Sequence, residues 1–400
     1  MRFGQRFTAL LSWAMVASAT ILENGQPRLN PYPGQREPVT LDESWRSYPA
    51  NAPEISYKGR WDSQHISWWS APGIKFEFTG EKVAVNFGPS TIPGVLVAYR
   101  VGSLDWQFSN VTADSTYQFV GPWSELKDGD EPIGKNLFEM RVQIAGVAVA
   151  NDAEITKAPT FGKRVEIIGG SLASGQFATY ETMSSWSWMF ANGLGNVEYG
   201  ITAYPGVCLA DQQCYGGQSR GIEWYWHRAS DPGSRARAIY DHDPEHWDVK
   251  AEQPADLVVI QMGGNDHRHP NEIPGRDYYH AYVSLVENIH SNWPNAVILL
   301  MSQWGGFKKE GKNYVGSTYY LEETREVNEH FKDRGFVYYF PTEGLLQHND
   351  INPKNHLTDV GSVKIASHLL QWVKLVLRWK LEPTGEVQSG TAYWNDQQEY

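Results

Sequence analysis

The sequence predicts an α/β protein with an N-terminal β-sandwich of jelly-roll type, followed by a three-layer α/β/α domain with a mostly parallel sheet. Two observations lead to this prediction. Between Trp45 and Ile155, short runs alternate apolar and polar residues with no helical period of useful length, whereas after Lys157 apolar strands alternate with amphipathic helices. The 400 residues also suit two domains of ordinary size. We therefore expect a sandwich domain over 45–157 and an α/β domain over 158–380.

The N-terminus has the pattern of a secretory signal peptide. Arg2 and Arg6 precede an apolar run that ends at Val16, and the small residues Ala17-Ser18-Ala19 follow it. This run is shorter than the ~20 residues that a membrane-spanning helix needs. We therefore expect residues 1–19 to be removed and the mature protein to be secreted and extracellular.

Two further segments flank the predicted domains. Residues 20–44 are rich in Pro and Gly and predict an extended arm, and residues 381–400 are polar and predict a flexible tail. The triplet Asn110-Val111-Thr112 is an N-glycosylation sequon, which is typical of a secreted glycoprotein.

The predicted sandwich strands are short. Residues 74–78 and 83–87 alternate apolar and polar side chains on either side of the turn Thr79-Gly80-Glu81. The other candidate strands of this region are 95–99, 117–120 and 137–144. Many short strands at this spacing indicate an antiparallel jelly roll.

The predicted α/β domain alternates strands with helices. Residues 257–262 are apolar apart from Gln261, as expected of a strand that is buried on both faces of a parallel sheet. Tyr282, Leu285 and Ile289 give the helix over 278–292 one apolar face. The remaining predicted strands are 165–168, 197–203, 297–301 and 336–340, and the remaining helices are 181–191, 320–333 and 360–379.

The composition narrows the class of partner. The net charge is −12, which argues against nucleic acid or an anionic membrane as the main partner. The chain has 17 Trp, and exposed aromatic faces commonly stack on sugar rings, so a carbohydrate is favoured. The two cysteines, Cys208 and Cys214, are expected to form a small-loop disulfide in an oxidising compartment.

Four short segments carry residues suited to ester hydrolysis. Three of them follow predicted strands, and the fourth begins the last helix. In an open α/β sheet, ligands bind beyond the carboxyl ends of the strands. The four segments supply a serine, a backbone amide beside a glycine, an asparagine amide and a histidine, namely Ser171, Gly206, Asn265 and His356. A serine hydroxyl becomes a good nucleophile when a base takes its proton, and the resulting oxyanion needs fixed N–H donors.

In this order the four segments resemble the motif blocks of SGNH, or GDSL-type, hydrolases. With the sandwich in front, the chain from Trp45 to Trp379 resembles carbohydrate esterase family 2, whose members are secreted deacetylases of xylan and other hemicelluloses. The resemblance implies that Ser171 is the nucleophile and that His356 is the general base and later the acid. It also implies an oxyanion hole formed by the Ser171 amide, the Gly206 amide and the Asn265 side chain, without metal or organic cofactor.

Two positions depart from the pattern of that family. Gly170 stands where the first block usually has Asp, and Pro353 stands where many SGNH enzymes have Asp three residues before the histidine. We therefore expect a Ser–His dyad in which a backbone carbonyl or another group orients the imidazole, with Asp350 as an alternative third member.

Several of these residues also have ordinary structural explanations. Gly206 could be required only for a turn with positive φ, and Asn265 could cap the following segment. Trp304 follows a predicted strand at the correct end of the sheet to contact a sugar, with core packing as the alternative, and His267 could line the substrate entrance. The run 241–246 has the composition of a metal site, but its proline and polarity favour a solvated loop.

Taken together, the sequence predicts a monomeric, secreted serine esterase that removes O-acetyl groups from plant cell-wall polysaccharide, either xylan or another hemicellulose. The first alternative is a carbohydrate-binding protein with a degenerate, inactive esterase domain. The second is a glycoside hydrolase with paired carboxylates, which is disfavoured because no acidic pair stands out at the relevant strand ends.

Overall fold

The structure, a computed structural model, describes residues 22–23, 26–27, 35–102, 106–124, 133–135, 142–214 and 220–381. The chain divides into two units, Met1–Pro31 and Tyr32–Tyr400. In the first unit the described residues form an antiparallel pair of two-residue strands, β1 (Leu22–Glu23) and β2 (Gln26–Pro27).

Some predicted segments lie wholly or partly outside the described residues. The predicted signal peptide over 1–19 does, as does the predicted tail after Leu381. Of the predicted arm over 20–44, the part from Gln35 onward runs along the sandwich, where the Arg36 N–H donates to Ser109 Oγ at 3.0 Å.

Two antiparallel sheets form the predicted β-sandwich. Its strands are β3 (Pro38–Val39), β4 (Trp45–Pro49), β5 (Ser56–Trp61), β6 (Ser67–Phe78), β7 (Val83–Phe87), β8 (Val95–Val101), β9 (Gln107–Val111), β10 (Ser115–Val120), β11 (Ile133–Lys135), β12 (Ile144–Ala150) and β13 (Ile155–Thr156). One sheet has the order β3-β10-β7-β12-β4, and the other runs β6-β11-β8-β9, with β5 and β13 also paired to β6.

The alternating sequence pattern builds the core between these two sheets. Phe76 and Phe78 of β6 and Val83 and Val85 of β7 are buried in one apolar cluster with residues of β8, β10 and β12. Because side chains of a strand alternate between its faces, the intervening polar residues point away from this core.

A parallel sheet forms the centre of the second half of the chain. Its strands are β14 (Arg164–Gly169), β15 (Glu198–Ala203), β16 (Leu257–Gln261), β17 (Val297–Met301) and β20 (Val337–Phe340), and the hairpin β18 (Phe307–Glu310) and β19 (Asn313–Gly316) follows β17. The spatial order is β15-β14-β16-β17-β20 with every neighbouring pair parallel. The predicted fold class, a sandwich followed by a mostly parallel α/β domain, is confirmed.

Helices cover both faces of the parallel sheet. They are α1 (Ser171–Ser174), α2 (Trp186–Gly193), α3 (Ile222–Trp226), α4 (Ser234–Tyr240), α5 (Gly264–His267), α6 (Gly275–Asn292), α7 (Leu321–His330) and α8 (Asp359–Trp372). Val258 and Ile260 pack in a core with α6 and α7, whereas Leu257 and Val259 pack in a second core with α2 and α8. This is why Leu257–Ile260, the first four residues of β16, are all apolar.

The sandwich and the parallel sheet are joined through β6 and β15. Ile201 of β15 pairs with Ser70 of β6, so the strands form one continuous sheet. Ser70 Oγ donates to the Ala203 carbonyl at 3.0 Å, and Trp69 Nε1 donates to the Ala229 carbonyl at 3.1 Å. No local sequence pattern predicts this join, since it depends on a single bridge between distant strands.

Several predicted elements have different limits in the structure. The helix predicted over 181–191 is a 3₁₀ turn, Glu181–Ser184, followed by α2, because Ser185 caps a new helix by accepting from the Trp188 N–H. The helix predicted over 360–379 corresponds to α8, which ends at Trp372, and to the π-helical turn Val373–Leu377 that follows it. The strand predicted over 137–144 overlaps β12 only at Ile144, the first residue of β12. Residues 137–141 lie outside the described residues. None of the helices described here is long and apolar enough to cross a membrane.

Candidate active site

The candidate site lies at the carboxyl ends of three parallel strands. β14 lies between β15 and β16. The connection from β14 to β15 and the connection from β15 to β16 therefore run toward opposite edges of the sheet. In open α/β sheets, ligands bind in the crevice at such a reversal of strand order. Ser171 begins α1 directly after β14, Gly206 follows β15, and Gly264 begins α5 after β16. The segments predicted to carry chemistry therefore converge at one edge of the sheet.

Ser171 and His356 are within hydrogen-bond distance, although 185 positions separate them in the chain. His356 Nε2 lies 2.9 Å from Ser171 Oγ. The histidine lies just before α8, whose first turn is capped by Thr358 Oγ1 accepting from the Gly361 N–H. The structure thus brings together the two side chains that the sequence predicted as nucleophile and base.

The second ring nitrogen of His356 contacts a backbone carbonyl. Nδ1 lies 2.8 Å from the carbonyl oxygen of Lys354. Because a carbonyl oxygen only accepts hydrogen bonds, Nδ1 carries the proton, and Nε2 presents its lone pair to the Ser171 hydroxyl. Asn352 fixes the same turn, since its side-chain oxygen accepts from the His356 N–H at 3.2 Å. The imidazole is therefore held in the tautomer that a proton acceptor needs.

Asp350 does not orient the imidazole, and this part of the prediction is wrong. Its buried carboxylate accepts hydrogen bonds from the Gln347 N–H at 2.7 Å and from Lys364 Nζ at 2.6 Å. Its carbonyl oxygen accepts from the Thr358 N–H at 2.8 Å. These contacts close the turn His348–Asp350 and attach it to α8, so Asp350 shapes the loop that carries His356.

The surroundings of His356 keep its ring neutral near pH 7. Burial lowers the pKa of His356 below its ordinary value of 6.5, the hydrogen bond to the Lys354 carbonyl opposes this shift, and the positive charge of Arg268 lowers the pKa further. The phenyl ring of Phe177 packs nearly at a right angle to the imidazole of His356, and the two ring centroids are 4.9 Å apart. A neutral imidazole can accept a proton, as general-base catalysis requires.

The Asn265 amide lies beside the Ser171 segment. Its Nδ2 donates one hydrogen to the Val207 carbonyl at 2.9 Å, and an amide nitrogen carries a second hydrogen for a ligand. A Cβ at Gly170 would lie 3.3 Å from Asn265 Nδ2, so the glycine at this position lets the amide approach closely. Both Ser171 and Asn265 line the same pocket. This arrangement suits a donor to an oxyanion on a group attached to Ser171.

Gly206 has the positive φ that the sequence suggested. Its φ is +87°, a conformation that glycine adopts without steric cost. It directly precedes Val207, which lines the pocket and accepts the hydrogen bond from Asn265. The turn therefore connects the end of β15 to the carbonyl that holds the Asn265 amide.

The loop after Gly206 is fixed by a disulfide and a buried carboxylate. Cys208 and Cys214 form the predicted disulfide. Asp266, which is fully buried, accepts hydrogen bonds from the N–H groups of Leu209 and Ala210 at 3.0 and 2.9 Å. Burial raises the pKa of Asp266 to about 6. The one sequence signal for this role of Asp266 is its place next to Asn265.

A cavity of about 200 Å³ opens beside Ser171 and His356. Trp304 and His267, both predicted to contact substrate, line it, and His267 stacks on Tyr319 with ring centroids 4.2 Å apart. Trp304 is buried, and its indole N–H has no partner among the described residues. The sequence analysis did not single out other lining residues, including Arg268, Gln303, Tyr319 and Lys354.

The polar run 241–246 lies away from this pocket, in the loop after α4. Glu245 contacts the sandwich, where Ser63 donates to it from both its N–H, at 3.0 Å, and its hydroxyl, at 2.6 Å. Within the described ranges, no group of three or more His, Cys, Asp or Glu side chains is arranged to hold a metal ion.

Residues 167–369 match the sequence profile of the GDSL-like lipase/acylhydrolase family. This stretch is about half of the chain and contains both Ser171 and His356. The chain therefore belongs to this family, whose members hydrolyse esters. The predicted resemblance to SGNH, or GDSL-type, hydrolases is confirmed.

Solved carbohydrate esterases share their fold with more than four-fifths of this chain. The enzyme of Cellvibrio japonicus has a TM-score of 0.64 and 14% identity, over 84% of this chain and 99% of that one. An acetyl xylan esterase of the rumen bacterium Butyrivibrio proteoclasticus has a TM-score of 0.63 and 14% identity, over 84% and 98%. The Clostridium thermocellum enzyme in complex with cellohexaose has a TM-score of 0.60 and 19% identity, over 82% and 100%. No curated protein sequence matches the chain.

Proposed function

We propose that this protein is a secreted serine esterase that removes O-acetyl groups from plant cell-wall polysaccharide, xylan or another hemicellulose. The observation that carries the proposal is the 2.9 Å contact between Ser171 Oγ and His356 Nε2, within a family of ester hydrolases. A serine hydroxyl beside a neutral, oriented imidazole is the arrangement that nucleophilic ester cleavage requires.

The reaction follows from this geometry. Ser171 Oγ attacks the acetyl carbonyl carbon while its proton moves to His356 Nε2, which gives a tetrahedral oxyanion. Collapse of this intermediate breaks the ester C–O bond, and the imidazolium gives its proton to the departing sugar oxygen, which leaves as a hydroxyl. A water molecule then attacks the acetyl-serine with His356 again as base, so that acetate leaves and Ser171 is restored.

The oxyanion is stabilised by hydrogen-bond donors that are already in place. The Asn265 amide is held by the Val207 carbonyl, and we assign it, the Ser171 N–H and the Gly206 N–H as the donors. The imidazolium that forms during attack is stabilised by the Lys354 carbonyl at Nδ1. This protein is thus proposed to work as a Ser–His dyad in which a backbone dipole replaces the usual carboxylate.

The size and lining of the pocket support a small acyl group on a sugar. A cavity of about 200 Å³ has room for an acetyl group and part of a pyranose. The buried Trp304 lines the pocket and offers it an aromatic wall. The fold shared with an acetyl xylan esterase also supports an acetylated polysaccharide as substrate.

Secretion is supported by the Cys208–Cys214 disulfide, since such bonds persist in oxidising compartments. The predicted signal peptide over 1–19 is the expected route. Expression of the full chain in a eukaryotic host tests this directly, because the protein should accumulate in the medium with its N-terminus near Thr20. Retention of the intact N-terminus inside the cell would argue against secretion.

Acetate release from acetylated xylan tests the proposed activity. We expect the Ser171→Ala variant to lose at least ~10³-fold in kcat, as other serine hydrolases do when the nucleophile is removed. Ser234→Ala, at an exposed position on α4, is the matched control and should retain full activity. Undiminished acetate release by Ser171→Ala would overturn the assignment. If the wild-type protein binds acetylated xylan but releases no acetate, the carbohydrate-binding alternative is correct.

A further inference from the structure

Phe177 is an exposed aromatic side chain beside the reacting groups. Its ring contacts that of His356, which lines the active-site cavity, whereas Phe177 is not one of the described residues that line it. Phe177 therefore lies at the rim of the cavity. It is 55% exposed, which for an apolar residue is ordinary by itself, so its backbone and its surroundings decide what it does there.

The backbone of Phe177 has a conformation that bulky residues rarely adopt. Its φ is +69°, in the left-handed region, where the Cβ of any residue except glycine crowds the following carbonyl oxygen. Such strained residues persist only where the surrounding structure fixes them, and they concentrate at functional sites. A glycine at this position would remove the strain, so it is the presence of the phenyl ring that calls for an explanation.

Hydrogen bonds on both sides of Phe177 hold its loop in place. The N–H of the preceding residue donates to the Ser171 carbonyl at 3.1 Å, and the N–H of the following residue donates to the Gly175 carbonyl at 3.0 Å. The Thr179 N–H donates at 3.0 Å to the carboxylate of Asp359, the first residue of α8. The ring is therefore carried by a fixed loop, and a ligand that contacts it has little loop motion to restrict.

The proposed reaction brings the departing sugar to this ring. His356 Nε2 gives its proton to the sugar oxygen, which must therefore come within hydrogen-bond distance of Nε2, ~3 Å. The pyranose is attached directly to that oxygen, and the centroids of the His356 and Phe177 rings are only 4.9 Å apart. The cavity of about 200 Å³ has room for an acetyl group and part of a pyranose, so the rest of the sugar extends to the rim. A pyranose in this position can lie against the phenyl ring.

We infer that Phe177 is a specificity-determining residue that stacks on the pyranose of the leaving group, and that it favours acetyl esters of sugars over acetyl esters of small alcohols. The C–H groups on one face of a pyranose pack on the apolar face of an aromatic ring, and this contact removes exposed phenyl surface from water. The inference rests on the proposed esterase function and names a residue that selects its substrate. The ester cleavage itself is unchanged.

The test compares kcat/KM for an acetylated xylo-oligosaccharide with kcat/KM for ethyl acetate, whose leaving group has no ring, using the full chain. We expect Phe177→Gly to lower the ratio of the first value to the second by about tenfold, because the variant loses an apolar contact that only the sugar makes. The loss should appear mainly as a higher KM for the oligosaccharide, since the sugar is held both before and during attack. Phe177→Tyr keeps the aromatic ring and should retain the wild-type ratio.

Thermal unfolding of the same variant separates this role from a structural one. Phe177→Gly introduces the residue that adopts a positive φ without steric cost, and the side chain that it removes is more than half exposed. The Tm of the variant should therefore equal or exceed that of the wild-type protein, although its preference for the sugar ester falls. Leu375→Ala removes a side chain that is 54% exposed, in the turn after α8, and is the matched control, which should leave the ratio unchanged.

An unchanged ratio in Phe177→Gly would overturn the inference and leave the esterase function intact. If kcat/KM fell equally for both esters, the ring would act through His356, and if neither value fell, the ring would have no part in the reaction. A fall in Tm of several degrees would also count against the inference, because it would show that the ring serves the fold. Acetate release from neither ester by the wild-type protein would instead remove the proposed esterase function, and the inference with it.

Discussion

His356 has a neutral partner at the nitrogen where many serine hydrolases place a carboxylate. The Lys354 carbonyl, 2.8 Å from Nδ1, fixes the tautomer as a carboxylate would, but it carries only a partial negative charge. It therefore favours the imidazolium less strongly, and burial of the ring disfavours the charged form further. The expected result is a base that stays neutral at mildly acidic pH.

The pH dependence of activity tests this description of His356. The base must be neutral to act, so kcat/KM should rise with pH through the pKa of His356 and reach a plateau above it. Because burial lowers that pKa, the midpoint should lie below 6.5 when a small uncharged acetyl ester is the substrate. Arg268→Gln removes a charge that lowers the pKa and should move the midpoint upward. A midpoint clearly above 6.5 in the wild-type protein would contradict this description.

The residues of the dyad could be predicted from the sequence, but the orienting group could not. Ser171 and His356 were identified because their residue types and order match a known motif set. The orienter is a main-chain carbonyl, which every residue possesses, so no sequence pattern marks it. Asp350 is the nearest acidic residue before His356 in the sequence, but its carboxylate is occupied by Lys364 and the Gln347 N–H.

At the scale of elements, the loop after β15 is held in place from two sides. The Cys208–Cys214 disulfide closes the loop on itself, and Asp266 binds its backbone at Leu209 and Ala210. This loop follows Gly206 and Val207, which are assigned to the oxyanion hole and to the support of Asn265. The loop should therefore keep its position when no ligand is bound.

Removing the disulfide should affect turnover more than stability. A loop this short contributes only about 2 kcal/mol on the chain-entropy model. In a chain of this size, such a change lowers Tm by only a few degrees. We expect Cys208→Ser/Cys214→Ser to lower kcat about tenfold. Complete loss of one oxyanion donor lowers kcat by ~10²–10³-fold, and a donor that is only held less firmly should have a smaller effect.

The comparison uses calorimetry and acetate release on the same preparations. Reduction of the wild-type disulfide by dithiothreitol should reproduce the variant's kcat. A large fall in Tm together with an unchanged kcat would mean that the disulfide serves the fold and not the site.

The strands and helices that were well predicted are those with a buried, periodic pattern. β16 is buried on both faces, and α6 has one clear apolar face. The predicted limits of both elements differ from those in the structure by three residues or fewer. The β18–β19 hairpin was missed because its residues are exposed and charged, with no apolar alternation to reveal a strand. Its contact with Gly305 is a tertiary property that local sequence does not encode.

At the scale of the whole molecule, the sandwich and the parallel sheet share a continuous sheet and buried polar contacts. Arg60 of the sandwich is buried and donates to the Arg228 carbonyl at 2.7 Å, and Trp69 donates to the Ala229 carbonyl at 3.1 Å. Unfolding either half alone would break these hydrogen bonds, a net loss of about 0.5–1.5 kcal/mol for each neutral donor and more for the charged one.

Thermal unfolding should therefore be a single cooperative transition. Differential scanning calorimetry should give one peak, with the calorimetric enthalpy equal to the van't Hoff enthalpy. Ser70→Ala, which removes the hydrogen bond to the Ala203 carbonyl, should lower Tm without splitting the peak. Two resolved transitions in the wild-type protein would show that the halves unfold independently.

Covalent labelling of Ser171 tests the central claim most directly. A fluorophosphonate probe reacts with a serine only when a base activates its hydroxyl and donors stabilise the negative oxygen that develops on phosphorus. Peptide mapping by mass spectrometry should find the label on Ser171 of the wild-type protein, with labelling at least ~10²-fold slower in His356→Ala. Absence of label from Ser171, or equal labelling rates in the two proteins, would contradict the account.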